Sequence, residues 1–353
     1  MTEVAFRRWT TAWLIVVVMV FGLFAITGVA VLDTAQQQTL DNSSWRYPSQ
    51  TVAPNENHRS VVAGIYLDRL FDFLPNKARW SVDFYLWFRW LGDGLTPGES
   101  FQIVDGEIVK KHEITRFDQD NRHYVLYRVT AIMTKAFDPA RFPQDRHVLT
   151  IRIEDTDNHH GAVQFIPDVE GSAISSRLEA PGYAIVGSKI IEQPHSYKTR
   201  RGDTRLALDH TTTYSQLVLA IGLQRAGWHL YIKMFLGTFV AVAIALVAFL
   251  INPHYNSPRL ATGIGSFFAA VASNYVLSQQ VLPSNTLTLT DLVTFSALAT
   301  IFMTLLSSCI SLGAHGHGMP ATAIRRFDLT ALTVFLVGMS GINIIYAMVA
   351  NSV

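Results

Sequence analysis

Apolar and polar positions recur with two different periods along the chain. From 80 to 90 the even positions are Trp80, Val82, Phe84, Leu86, Phe88 and Trp90, whereas the odd ones include Ser81, Asp83, Tyr85 and Arg89. A period of two belongs to a strand with one buried face. Residues 61–73 read as its hairpin partner through Leu74-Pro75-Asn76-Lys77, and 124–134, 147–154, 183–191 and 214–223 repeat the pattern. Several strands with no long amphipathic helix between them predict a β-sandwich, starting near Ser60. Ahead of it, 33–59 carries Gln36-Gln37-Gln38, Asn42-Ser43-Ser44, Pro48 and Pro54 without periodicity, as expected of a linker.

Elsewhere the pattern is continuous rather than alternating. Residues 9–32 contain no formal charge and are long enough, at 1.5 Å per residue, to cross a hydrocarbon core of about 30 Å. This run reads as an uncleaved anchor, because secretory signal cores span only about 7–15 residues. Four further uncharged runs, 234–251, 260–282, 292–312 and 329–351, bring the expected membrane helices to five. The predicted organisation is a tip and anchor helix at 1–32, a linker at 33–59, a β-sandwich at 60–227 and a four-helix domain at 228–353.

Charge supports that division and orients it. Only Glu3, Arg7, Arg8, Lys233, Arg259, Asp291, Arg325, Arg326 and Asp328 lie outside 33–227, so a water-facing middle is flanked by membrane segments. Arg7 and Arg8, Arg259, and Arg325 with Arg326 fall on one side of five alternating spans. Cationic residues favour the cytoplasmic side, so the multi-pass reading puts the amino terminus inside the cell membrane, with the β-domain and carboxyl terminus outside. Charged residues make up 16% of the chain against 49% hydrophobic, and the net charge is +1, with no basic stretch suited to nucleic acid. The single cysteine, Cys309, excludes a disulfide scaffold and a cysteine-rich metal site. No nucleophile elbow, phosphate-binding loop, dinucleotide fingerprint or cysteine–histidine pair occurs, so no enzyme class is indicated.

The segment Phe137-Asp138-Pro139-Ala140-Arg141-Phe142-Pro143-Gln144-Asp145 resembles the Phe-Pro-x-Asp signature loop of the pentameric ligand-gated ion channel superfamily. Lys135 and Leu149 stand where two cysteines bracket this loop in animal members, the pattern of prokaryotic relatives. A strand pair ending in Trp90, a lone Arg225 before the first channel helix, and Leu282-Pro283 ending the pore-like helix follow in family order. The similarity runs from about Ser60 to Ala350 and leaves the anchor helix outside the usual pattern.

The resemblance implies a homopentamer in a lipid bilayer with a central pore lined by 259–283. Coupling would run through Phe142, Pro143, Asp145, Arg225 and Pro283, with 141–145 and the 283–291 loop as the moving parts. Thr262, Ser266, Ala269, Ser273, Val276 and Gln280 collect small and polar side chains at spacings of three and four, as a water-lining face requires. Polar packing between membrane helices gives the same stripe. Anchoring on Leu282-Pro283 selects that face. Anchoring on Arg259 selects instead Ala261, Gly265, Phe268, Ala272 and Tyr275, and an insertion in the helix would reconcile the two. Phe268 is the expected hydrophobic gate. Arg259 is expected to set selectivity, against the alternative that it snorkels to the interface.

For an unidentified small-molecule or ion ligand, the family's interface site points to Trp87, Asp157, His160, Tyr197 and Arg201, although Trp87 suits interface packing better and the other four a solvated loop. No cofactor is expected beyond a possible divalent cation at Glu154, Asp155 and Asp157, a run that also reads as a solvated loop. The alternative function is a non-conducting membrane-anchored ligand sensor of the same fold.

Overall fold

The computed structural model describes residues 3–41, 59–155, 163–199, 212–225, 227–281, 284 and 286–351. The chain forms two compact units. One consists of Leu40–Phe137 and Arg146–Arg225, the other of Met1–Thr39, Asp138–Asp145 and Ala226–Val353.

The first unit is β-rich and sandwich-like. Its strands are β1 (Arg59–Leu74), β2 (Arg79–Leu91), β3 (Phe101–Ile103), β4 (Gly106–Gln119), β5 (Arg122–Thr134), β6 (Arg146–Asp155), β7 (Val163–Pro167), β8 (Ala173–Ile174), β9 (Tyr183–Tyr197) and β10 (Thr212–Arg225). One sheet runs β4-β5-β2-β1-β7 with β8 also on β1, and the other β3-β6-β10-β9. Pairing is antiparallel except where β7 and β8 join β1.

The period-two strands appear where the sequence placed them, and their apolar positions form the core. Trp80, Val82, Phe84, Leu86 and Phe88 are fully buried beside Ala63, Ile65 and Leu67 of β1. The β1–β2 turn closes on Pro75–Lys77 in a 3-10 turn, with Ala78 in the left-handed region at φ 52°. Asp120 and Asn121, both at positive φ, make the two-residue turn between β4 and β5, a conformation that Asp and Asn tolerate. Sequence periodicity missed β3, β4, β7 and β8. β4 is an edge strand exposed along nearly its whole length and rich in charge, so it never alternates.

The second unit contains α1 (Glu3–Asp41), α2 (Trp228–Val247), α3 (Asn256–Ser278), α4 (Leu289–Gly316) and α5 (Ala321–Asn351). All five are long and apolar enough to cross a membrane. α1 extends past the expected end of the anchor at 32 and takes up the first part of the expected linker.

α4 is the central helix and packs against α2, α3 and α5. Thr294, Ala297, Ile301, Thr304, Ser308 and Ser311, three and four residues apart, are all buried. Small hydroxylated side chains let neighbouring backbones approach, which suits an interior where lipid supplies no hydrophobic drive. α4 begins in a capping box: the Thr288 hydroxyl accepts from the Asp291 N–H, and the Asp291 carboxylate accepts from the Thr288 N–H.

Candidate functional site

α3 packs through one face only. Arg259, Gly263, Ser266, Ala270 and Leu277 are buried. A Cβ on Gly263 would stand 2.8 Å from the Leu305 side chain, which shows how closely α3 meets α4 there. Ser273 shares a 3.2 Å hydrogen bond with Thr238 of α2. The Ser266 hydroxyl donates back to the Thr262 carbonyl at 2.6 Å. Three of the residues expected to line a pore, Thr262, Ser266 and Ser273, therefore belong to or border the packed side. Ala269 and Val276 are exposed beside it, and Gln280 follows the last helical residue.

At 100° per residue, Ala261, Phe268, Ala272 and Tyr275 lie opposite the buried face. Phe268 is 68% exposed and Tyr275 69%. α3 runs as an uninterrupted helix from Asn256 to Ser278. The held side of the helix is therefore the one that carries Arg259, and the stripe of Ala261, Phe268, Ala272 and Tyr275 is left outward.

Arg259 itself departs from expectation. It is 0% exposed, and its guanidinium donates to Asp328 Oδ1 at 2.6 Å and Oδ2 at 3.0 Å. The Ser311 hydroxyl donates to the same carboxylate at 3.2 Å, and the Ile251 carbonyl accepts from Arg259 at 3.2 Å. A bidentate pair neutralises the charge inside the helical unit, joining α3, α4 and α5. Arg259 is thus enclosed and paired within the helical unit rather than snorkelling to an interface. Asp328 was findable: it is the lone acid of α5, directly before the last apolar run, and an ionisable residue there needs a partner.

The Asp138–Asp145 loop is bound to α1, α4 and α5. Ala140 N–H donates to Asp138 Oδ1 at 2.9 Å, and the Gln144 N–H to the Arg141 carbonyl at 2.7 Å, folding the loop into tight turns. The Leu289 N–H donates to the Ala140 carbonyl at 2.7 Å, and the Thr290 hydroxyl to that of Phe142 at 3.2 Å. Arg141 donates to the Leu32 carbonyl of α1 at 3.1 Å and the Ala350 carbonyl of α5 at 3.3 Å. Phe142, Pro143 and Asp145 are buried. Arg225 lies in the β-rich unit, donates to the Tyr183 hydroxyl and lies 4.4 Å from that ring's centroid. Pro283 lies outside the described residues.

Within the β-rich unit, Lys135 donates to the Val148 carbonyl, next to Leu149. A lysine–backbone hydrogen bond thus ties the chain just after β5 to β6. Burial, with nearby Arg152 adding to it, pulls the Lys135 ammonium down to about 8.

Trp87 lines a cleft of about 450 Å³ with Tyr66, Tyr85, Arg89, Tyr124 and Asp168. Its indole N–H donates to Asp168 Oδ2 at 3.0 Å, and Arg89 donates to the same oxygen at 2.7 Å. Gly64 pairs directly with Trp87 across β1 and β2, and a Cβ there would come within 2.3 Å of the indole. Only glycine lets the ring lie over that strand. The outward aromatic positions were legible from strand alternation, whereas Asp168 sits in irregular chain with no periodic signal.

Tyr197 lies on the other sheet, where its hydroxyl donates to Glu154 Oε2 at 3.1 Å. Gln216 and Gln102 also donate to Glu154, and the Ser100 hydroxyl donates to Asp155 Oδ1. These carboxylates are engaged by neutral donors, and among the described residues no group of three His, Cys, Asp or Glu is placed to hold a metal ion. Asp157, His160 and Arg201 lie outside the described residues. Because Trp87 and Tyr197 occupy the outward faces of different sheets, one chain does not bring them together.

No protein-family model and no curated protein matches the chain.

Proposed function

We propose that the protein is a subunit of a homopentameric ligand-gated ion channel, with α3 of each copy lining the pore. The observation that carries this reading is the Asp138–Asp145 loop. It continues β5 and β6 in sequence and holds the first turn of α4 through the Ala140 and Phe142 carbonyls. A strand movement passed along that connection reaches the helices directly.

In this reading Ala261, Phe268, Ala272 and Tyr275 face the axis, and five Phe268 rings form a constriction that closes by dewetting. α3's other face is held by α2, α4 and the Arg259–Asp328 pair, so the stripe cannot rotate freely. The helical domain 228–353 is the channel's four-helix bundle, with α1 as an added span. The amino terminus is cytoplasmic, and the β-rich unit and carboxyl terminus are extracytoplasmic. The ligand sits between copies, where the Trp87 cleft of one chain meets the Tyr197–Glu154 face of the next. Aromatic walls suit a ligand with a cationic group.

The test is a native mass in mild detergent followed by current recording in bilayers across a panel of ligands and pH. The expected result is an assembly of five 39.3 kDa chains that conducts. A stable monomer or dimer would overturn the pore, and a silent pentamer would favour the non-conducting sensor.

A further inference from the structure

α1 is the one helix that the channel reading does not require, yet it is built into the helical unit. Phe6 meets Phe327 at 6.2 Å between ring centroids, and Phe21 meets Phe335 at 6.0 Å. The Trp13 indole donates to the Ser307 hydroxyl at 2.9 Å, and the Tyr346 hydroxyl to the Phe24 carbonyl at 2.8 Å. These long side chains bridge α1 to α4 and α5. The tightest point is Gly28, where a Cβ would stand 2.1 Å from the Tyr346 ring. One helical turn further on, the buried Leu32 offers its carbonyl to Arg141.

We propose that α1 is a regulatory helix, and that Arg141 is the positioning residue through which its placement reaches the start of α4. The guanidinium binds two helices at once. Its acceptor on α5, the Ala350 carbonyl, belongs to a last turn that cannot satisfy its own carbonyls and favours a cation. Its acceptor on α1 is the Leu32 carbonyl, whose second lone pair is open to such a donor. The residues on either side, Ala140 and Phe142, hold Leu289 and Thr290 of α4. If α1 shifts against α5, Arg141 must follow one helix and release the other, and its two neighbours move against α4. A lysine offers one compact charge and lacks the rigid fork that spans two acceptors.

Hydrogen exchange on the full-length protein in lipid nanodiscs tests the linkage without requiring conduction. Gly28→Ala pushes α1 away from Tyr346, and Tyr346→Phe, which removes only the bond to Phe24, is a milder displacement should the first not fold. Either change is expected to lower protection of the first turn of α4 by about fivefold, the effect of losing one ordinary hydrogen bond. In an Arg141→Gln or Arg141→Lys background the same change is expected to add nothing. Unchanged exchange in α4, or additive effects with Arg141→Gln, would overturn the linkage.

The regulatory half rests on the channel reading, so the same variants are recorded in bilayers. Gly28→Ala is expected to alter open probability only where Arg141 is present. Currents that respond to the two changes independently would overturn the inference and leave the channel standing. Silence in every variant with the exchange linkage intact would overturn the channel and leave α1 mechanically joined to α4.

Discussion

Replacing Asp328 by asparagine removes the charge that balances Arg259 while keeping the side-chain shape. In the native protein the guanidinium is wholly enclosed and makes two charge-assisted hydrogen bonds, at 2.6 and 3.0 Å, to a carboxylate that is 1% exposed. After the substitution the enclosed cation keeps only neutral acceptors, the Ile251 carbonyl among them. Breaking one partner of a buried pair costs about 3–5 kcal/mol. At about 2–4 °C per kcal/mol for a unit of this size, the apparent melting temperature in detergent falls by roughly 6–20 °C. Arg259→Met alone should fall comparably, because it strands the carboxylate. The double variant Arg259→Met/Asp328→Leu should recover most of the loss, since it removes both desolvation penalties and refills the space with apolar atoms. Thermal melting followed by size-exclusion fluorescence reads all four proteins. A single variant as stable as wild type, or a double variant no better than the singles, would refute the reasoning. The double variant also separates stability from permeation. Its reversal potential in asymmetric potassium chloride should equal the wild-type value, whereas a displaced potential would return Arg259 to the conduction path and overturn the assigned face of α3.

Four further outcomes are expected. In a Cys309→Ser background, a water-soluble thiol reagent should modify Ala272→Cys but not Ser266→Cys, and Phe268→Ser should raise the current seen without ligand; the opposite labelling pattern would restore the other register. Lys135 has a folded-state value near 8 against an ordinary 10.5, so between those limits the unfolded chain holds a proton that the folded one has released. Stability of the β-rich unit should therefore rise as pH climbs from about 8 toward 10.5 and be flat below 8 on this account, and Lys135→Met should abolish the rise in a melting series. Asp168→Asn should weaken the hold on both Trp87 and Arg89, shifting Trp87 fluorescence and reducing any ligand response without changing pentamer mass; an unaltered spectrum and dose response would remove the cleft from consideration.

The Trp87 cleft and the Asp138–Asp145 loop illustrate how differently two candidate sites were prepared in the sequence. Trp87 stood out because an indole on the polar face of a strand breaks the alternation that produces the core. Its neighbours Tyr66, Tyr85 and Tyr124 share that outward face by strand pairing, which needs only the register of β1, β2 and β5. The loop was visible as a motif, but the motif does not say which carbonyls and hydroxyls it meets. Those belong to helices distant in sequence, such as Leu32 of α1 and Ala350 of α5 on Arg141.

By itself the sequence determined the elements whose cause is local. Five apolar runs produce five helices because a backbone in hydrocarbon must satisfy its own hydrogen bonds, and alternation along 80–90 fixes which face of β2 is buried because a strand repeats every two residues. Tertiary structure decided what depends on distant partners. The charge-rich edge strand β4 forms because β5 offers it a ladder, not because its own residues alternate. The two registers of α3 were equally good on one helix, since a small polar residue serves either water or a packed neighbour. Only the contacts of Ser273 with Thr238, Gly263 with Leu305 and Arg259 with Asp328 establish which side is held and which is left facing outward.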